Sequence, residues 1–428
     1  KLPEVSQFWG LQDVVKNAKD STATSSYSES KSHLDTLISS AVKEQMLADV
    51  PVGAFLSGGI DSSLIVAKMA SCSHQPISTF SIGFDEAGYN EAPYAAEVAR
   101  HLGTSHTELY VTQQEARDVI PKLPSIYDEP FSDSSQMPTY LVSALAARDL
   151  KVVLTGDGGD ELFCGYSRYS RALRLQSLVS KMPVPLRRGI ASLLRQLSTS
   201  QWDTLFKPTH PFLAARNRAI GHRMHRLADV LAAGNGLNLY SGFVTHWDDP
   251  ASVVIDGHEP PTPLSEGSGI DSQLTFLEQM TLQDMLMYLP GDILTKVDRA
   301  AMAVSLETRV PFLDQRVVEY SWQIPTEYKV RAGDAKYILK DILSDYVPKR
   351  LFERPKMGFG VPIGAWLRGS LKDWGAELLD RSKMTDEGFF NVNMVHQKWD
   401  EHQSGARNWE YHLWDILMFQ QWYREQLV

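Results

Sequence analysis

The sequence predicts an α/β protein, a doubly wound parallel sheet followed by a mostly helical region. Three observations predict it. Short apolar runs alternate with helical patterns from about residue 32 to residue 155. Two of those runs end in glycine-rich turns that open into helices. Beyond about Tyr169 the strand signals thin out while helical periodicity continues. From Ser32, residues Leu34, Leu37, Ile38, Val42 and Met46 recur at helical spacing. Val52 to Leu56 then reads as a buried strand, with a helix over about 62–71 after it. A strand over 78–84, a helix over 91–102, a strand over 105–110, a helix over 137–149 and a strand over 151–155 complete the alternation. Residues 20–32 are small, polar and aperiodic, the composition of a linker. Residues 249–269, rich in Pro and Gly, read as a long loop.

Composition removes several function classes. At 428 residues and 43% hydrophobic, the chain can bury a substantial core in two or three domains. The formal net charge of −10 leaves no global positive field to hold a phosphate backbone, so nucleic acid is not an expected partner. Cys72 and Cys164 are too few for a disulfide framework and lack zinc or redox spacing, which suits a reducing compartment. No apolar run approaches the roughly 18 residues needed to cross a bilayer, and no basic-then-apolar leader is present. A cytoplasmic protein with no membrane partner is expected. Because the first residue is Lys1 and not Met, a longer parent chain stays open.

The first chemical signal is Ser57-Gly58-Gly59-Ile60-Asp61-Ser62-Ser63, directly after the Val52–Leu56 strand. Strand, glycine turn and helix are the parts of an anion cradle: glycines let backbone approach a phosphate, the helix start offers N–H groups, and Ser57, Ser62 and Ser63 add hydroxyls. A carboxylate beside phosphates needs a cation between them, so Asp61 is read as a Mg²⁺ ligand. The spacing is neither that of the GxxxxGK[ST] loop nor of GxGxxG. The second signal is Thr155-Gly156-Asp157-Gly158-Gly159-Asp160-Glu161 after the strand Lys151 to Leu154. In a doubly wound sheet both turns would open at the carboxyl edge, so Asp61 and Asp160 are expected to hold metal and Asp157 to accept a proton or hold an attacking amine. Alone, the second turn would also fit a capped helix.

Other signals are weaker. His101 and His106 are poorly spaced for one metal and are expected to pack or cap. Trp414, Met418 and Trp422 form a helical stripe expected in a core. Glu307, Arg309 and Asp314 read as catalytic groups or as a buried ion-pair network at a domain seam, and Glu129 and Asp133 as groups near a substrate.

Taken together, SGGIDSS, Tyr127 to Phe131 with SSQMPTY over 134–140, TGDGGDELFCGY, Lys296 to Ala300, Leu306 to Asp314, Arg354 to Gly360 and the terminal tryptophan helix resemble class B, glutamine-dependent asparagine synthetases. The resemblance runs from about residue 32 to the C-terminus and is least at about 175–275. It implies an ATP-pyrophosphatase-type α/β core, and a reaction in which ATP activates the side-chain carboxylate of aspartate as an acyl-adenylate before ammonia displaces AMP. By the same resemblance Leu56, Ser57, Gly58, Gly59, Asp61 and Ser62 would bind ATP phosphates, Ile82, Thr155 and Gly156 would line the nucleotide pocket, and Asp61 with Asp160 would hold Mg²⁺. Lys356, Asp157 and Lys296 would be the catalytic residues, Lys356 steadying charge on the phosphates and the activated carboxylate. Asp157 stands where family members carry glutamate or aspartate.

The resemblance divides the chain into a linker over 1–31 that would follow a glutaminase domain, a nucleotide core over 32–175, a divergent helical insertion over 176–275, and a helical region over 276–428 completing the site. A glutaminase domain or subunit is an expected partner, ammonia rather than glutamine is the expected nitrogen donor of the residues present, and a homodimer is compatible with the sequence. The same ATP motifs would serve a uronic acid, a peptidoglycan peptide or a lactam-forming amino acid. A tRNA-modifying ATP-pyrophosphatase is opposed by the acidic charge and the lack of a cysteine pair.

Overall fold

The computed structural model describes residues 6–20, 25–84, 90–197, 199–206, 221, 224–225, 227–228, 231, 236–247, 249–266, 271–354 and 360–426. The chain divides into two compact units, one of residues 1–128, 133–166 and 268–361, the other of residues 129–132, 167–267 and 362–428.

The first unit is built on five parallel strands: β1 (Val52–Phe55), β2 (Ser78–Phe84), β3 (Ser105–Val111), β4 (Val152–Leu154) and β5 (Glu307–Arg309). Their spatial order is β3-β2-β1-β4-β5, so the expected doubly wound parallel sheet is present. The central strands are short and almost wholly apolar because helices cover both faces. The order reverses between β1 and β4, where Ala54 lies opposite Leu154. Both strands therefore release their following loops at one edge of the sheet, the place where such folds bind ligands. The core joins Ala54, Leu64, Ile65, Val66 and Leu154 to Leu34, Ile38 and Val42 of the helix Tyr27–Gln45 and to Ile338, Leu339 and Ile342 of the helix Tyr337–Leu343.

Three local readings need correction. The segment expected as linker is helical at its end: Ser26 accepts from the Glu29 backbone N–H while the Glu29 side chain accepts from Ser26, a capping box that starts the helix Tyr27–Gln45. The helix Leu11–Asp20 precedes it with Val15 fully buried, and residues 21–24 lie outside the described residues. The second correction is β5, which the apparent loss of strand signals had hidden; Glu307-Thr308-Arg309 is polar because it is the edge strand, paired only with β4. Third, Glu307, Arg309 and Asp314 form no buried network. Arg309 pairs with the exposed Glu307 at 2.7 Å, and Asp314 pairs with Arg316, which also reaches Glu44. Their other bonds explain the positions: Arg309 donates to the carbonyls of Gln45 and Leu47, closing the end of the helix that packs beside β5.

Within the second unit, Trp414 and Met418 of the helix Glu410–Gln426 are buried as the stripe predicts, while Trp422, the third residue of the stripe, is only half-buried. Among the described residues no helix is long and apolar enough to cross a membrane. Both cysteines are free thiols, Cys72 exposed and Cys164 buried.

Candidate active site

The site residues all belong to the first unit. After β1 the chain turns through Gly58, whose φ of +71° suits glycine, and an added Cβ there would stand 2.8 Å from the backbone of Tyr94 and Ala95. Ser57 and Ser62 close the loop: their hydroxyls are 3.0 Å apart, the Ser57 N–H donates to Ser62 Oγ at 3.2 Å, and the Gly59 N–H donates to Ser57 Oγ at 3.2 Å. Leu56 is buried and its N–H donates to the Phe80 carbonyl. Arg354, stacked 4.2 Å from the Tyr94 ring centre, donates to the Ser57 carbonyl at 3.0 Å. The helix Ile60–Cys72 then begins with Asp61 in its first turn.

The β4 turn packs directly on that first turn. An added Cβ on Gly156 would lie 2.6 Å from the Ser62 nitrogen, so only glycine allows this approach. The two glycine-rich turns thus meet. Their carboxylates meet as well: the buried Lys336 ammonium lies 2.6 Å from Asp160 Oδ1 and also bonds Asp61 Oδ2. Burial alone would lower the Lys336 pKa, but Asp160 and Asp61 outweigh it and raise it above its ordinary value. Lys336 carries no signal in the sequence. It sits at the start of the helix Tyr337–Leu343 with φ +56°, far along the chain from either turn, and only the fold brings it there.

Desolvation pushes the Asp157 carboxyl upward, and Asp61 and Asp160 add to this while Thr155 and Lys296 oppose it. Burial also raises Glu161, to about 7, with Asp160 as the next contribution; the Tyr166 hydroxyl donates to Glu161 at 2.6 Å. Lys296 lies on the helix Thr295–Met302, which continues from a π-helical stretch, Asp284–Leu294, containing Pro290. Its ammonium bonds Asp133 at 2.6 Å, and Tyr127 donates to its carbonyl at 3.2 Å. Asp133 also accepts from the Ser135 N–H and hydroxyl, both at 2.8 Å. Burial would raise Asp133, but Lys296 and the Ser135 bonds hold it below its ordinary value, while Asp133 keeps Lys296 charged.

Ile82 and Thr155 are buried on β2 and just after β4. Lys356 lies outside the described residues. His101 and His106 do separate work, His101 against the Tyr346 carbonyl and His106 between the hydroxyls of Thr79 and Ser81. Among the described residues no cluster of three or more His, Cys, Asp or Glu could hold a metal alone. Two carboxylates gathered around one cation are instead the donor set that Mg²⁺ uses when phosphates complete its shell. Asp61 and Asp160 fit that ion.

The asparagine synthase family model matches residues 33–424. A putative glutamine-hydrolysing asparagine synthetase of Mycobacterium tuberculosis is 32% identical over 403 residues, covering 91% of this chain and 57% of the relative. Glutamine-hydrolysing asparagine synthetase 1 of Bacillus subtilis is 30% identical over 386 residues, covering 90% and 57%. More distant is an amidase, chyE, of Penicillium rubens, 24% identical over 389 residues and covering 83% and 56%. The chain spans a little over half the length of these curated relatives. With nearly the whole of its length matched, the chain belongs to the asparagine synthase family.

Proposed function

We propose that this chain is the synthetase part of an ATP-dependent amide-forming ligase whose first candidate substrate is aspartate. The substrate carboxylate attacks the α-phosphorus of ATP, pyrophosphate leaves, and ammonia displaces AMP from the β-aspartyl-adenylate to give asparagine. The observation that carries the reading is the contact between two glycine turns whose carboxylates, Asp61 and Asp160, share the Lys336 ammonium.

The roles follow from the chemistry of each group. Leu56, Ser57, Gly58, Gly59 and Ser62 would receive phosphate oxygens, and Ile82, Thr155 and Gly156 would surround the nucleoside end. Asp61 and Asp160 would hold Mg²⁺, which supplies positive charge to the phosphates. Lys336 would keep those carboxylates together and present its ammonium to the leaving pyrophosphate. Asp157, with its affinity for protons raised by desolvation, would take a proton from the attacking amine. Lys296, kept ionised by Asp133, would face charge developing beside Asp157. Lys356 would steady the α-phosphorus as its oxygens gain charge; this role rests on the family resemblance.

Ammonia would come from a glutaminase domain or subunit, because the curated relatives are named as glutamine-hydrolysing and are longer than this chain. Residues 32–175 would carry the nucleotide core, 176–275 an insertion, and 276–428 the segment that completes the site after the 1–31 connection. The free thiols suit a cytoplasmic setting. The test is incubation with ATP, Mg²⁺, ammonium and single carboxylic acids. Aspartate-dependent AMP and pyrophosphate are expected; ADP and phosphate would refute an adenylate. A uronic acid or peptide acid outperforming aspartate in the same assay would select a second reading, the same chemistry on another carboxylate.

A further inference from the structure

The acidic balance of the chain conceals one stretch of opposite character. Residues 167–202 hold seven Lys and Arg and no Asp or Glu; removing those seven leaves 35 Lys and Arg against 52 Asp and Glu elsewhere. The stretch forms the helices Ser167–Val179 and Val184–Gln196 and opens the helix Thr199–Phe206, all in the second unit. The first two helices close on each other through Val179 and Ala191, with Leu175, Met182, Ile190 and Leu194 packed around them. Trp202 ties the third helix to the second by donating to the Leu194 carbonyl at 2.9 Å.

The outward faces are mixed in a particular way. Leu178, Leu186, Leu193 and Leu205 are 63%, 53%, 62% and 59% exposed. Leu186 and Leu193 stand two turns apart and share a stripe, and the exposed Arg188 and Arg195 form a parallel stripe two residues on. Arg174 and Lys181 are exposed on and just after the preceding helix. Beside Leu205 an apolar cleft of about 360 Å³ opens between Leu197, Gln201 and Thr204. Single exposed leucines are ordinary on protein surfaces. Four of them interleaved with the exposed Arg174, Lys181 and Arg188, on three helices whose one acidic residue is Asp203, are not.

We propose that these three helices form a peripheral docking surface for an anionic lipid bilayer. The charge is complementary to acidic headgroups, and each Lys or Arg near such a surface raises affinity about fivefold. Leucines then enter the boundary between headgroup and acyl chain, as on helices that lie in an interface without crossing it. A soluble polyanion would use the cations and leave the leucines in water. A second copy would set like charges against each other.

The test is sedimentation of the full chain with vesicles of equal parts phosphatidylglycerol and phosphatidylcholine, with phosphatidylcholine vesicles as the comparison. Binding at least about tenfold tighter to the anionic vesicles, and released by salt, is expected. The triple variant R174Q, K181Q and R188Q should weaken it more than tenfold. L186S with L193S should weaken it too, with the charge unchanged and ligase activity in solution retained. Equal sedimentation with both vesicle types would overturn the proposal. So would undiminished binding by the leucine variant, or leucine-dependent self-association of the chain without vesicles in light scattering.

Discussion

At the scale of single residues, the site is a balance of buried charges. Lys336 neutralises two carboxylates, and Glu161 behind them is held toward its neutral form by burial. A carboxyl whose folded pKa is raised binds protons more tightly when folded, so its contribution is full below the unfolded value and declines as pH rises toward the folded one. The nucleotide-free protein should therefore lose stability between pH 4.5 and about 7. Glu161→Gln should flatten that slope by on the order of 2 kcal/mol in urea titrations at several pH values; an unchanged slope would place the titration elsewhere. Lys356→Ala should cut adenylate formation on the order of a hundredfold, the effect of losing about 3 kcal/mol of transition-state stabilisation, while ATP binding survives. Pyrophosphate release at the parent rate would remove Lys356 from the mechanism.

At the scale of elements, what was legible and what was not divides on local against distant signals. The loops after β1 and β4 announce themselves because glycines, a preceding apolar strand and a following helix are all adjacent in sequence. Lys336 and the Asp133 partnership of Lys296 are not legible in that way, since each joins groups more than 150 residues apart. The edge strand β5 is too short and polar to show period-two alternation, and the Ser26 to Glu29 capping box lay within residues whose small polar composition suggested a linker. Two substitutions test these elements. Ser26→Ala should cost about 1 kcal/mol by removing the cap, measured by chemical denaturation. Gly58→Ala should cost roughly 1–3 kcal/mol, because it adds a side chain at positive φ against the Tyr94 and Ala95 backbone, and should weaken ATP binding as the loop shifts. A Gly58→Ala protein with parent stability and affinity would mean that the turn does not need glycine.

At the scale of the whole molecule, one parallel sheet reverses its order between β1 and β4, and the loops on either side of the reversal face each other across the Lys336 ammonium. The family match extends over nearly all of the chain, while the chain itself spans little more than half of its curated relatives. The meeting of the two turns belongs to this chain and is testable in it. The most direct measurement is a double-mutant cycle on the affinity for ATP in the presence of Mg²⁺, by titration calorimetry of Asp61→Asn, Asp160→Asn and the double variant. Carboxylates that serve one ion should be non-additive, with a coupling of at least about 1 kcal/mol and a double variant little weaker than either single one. Strictly additive losses would mean that the two carboxylates do not act on the same nucleotide-bound metal, and the shared site would be contradicted.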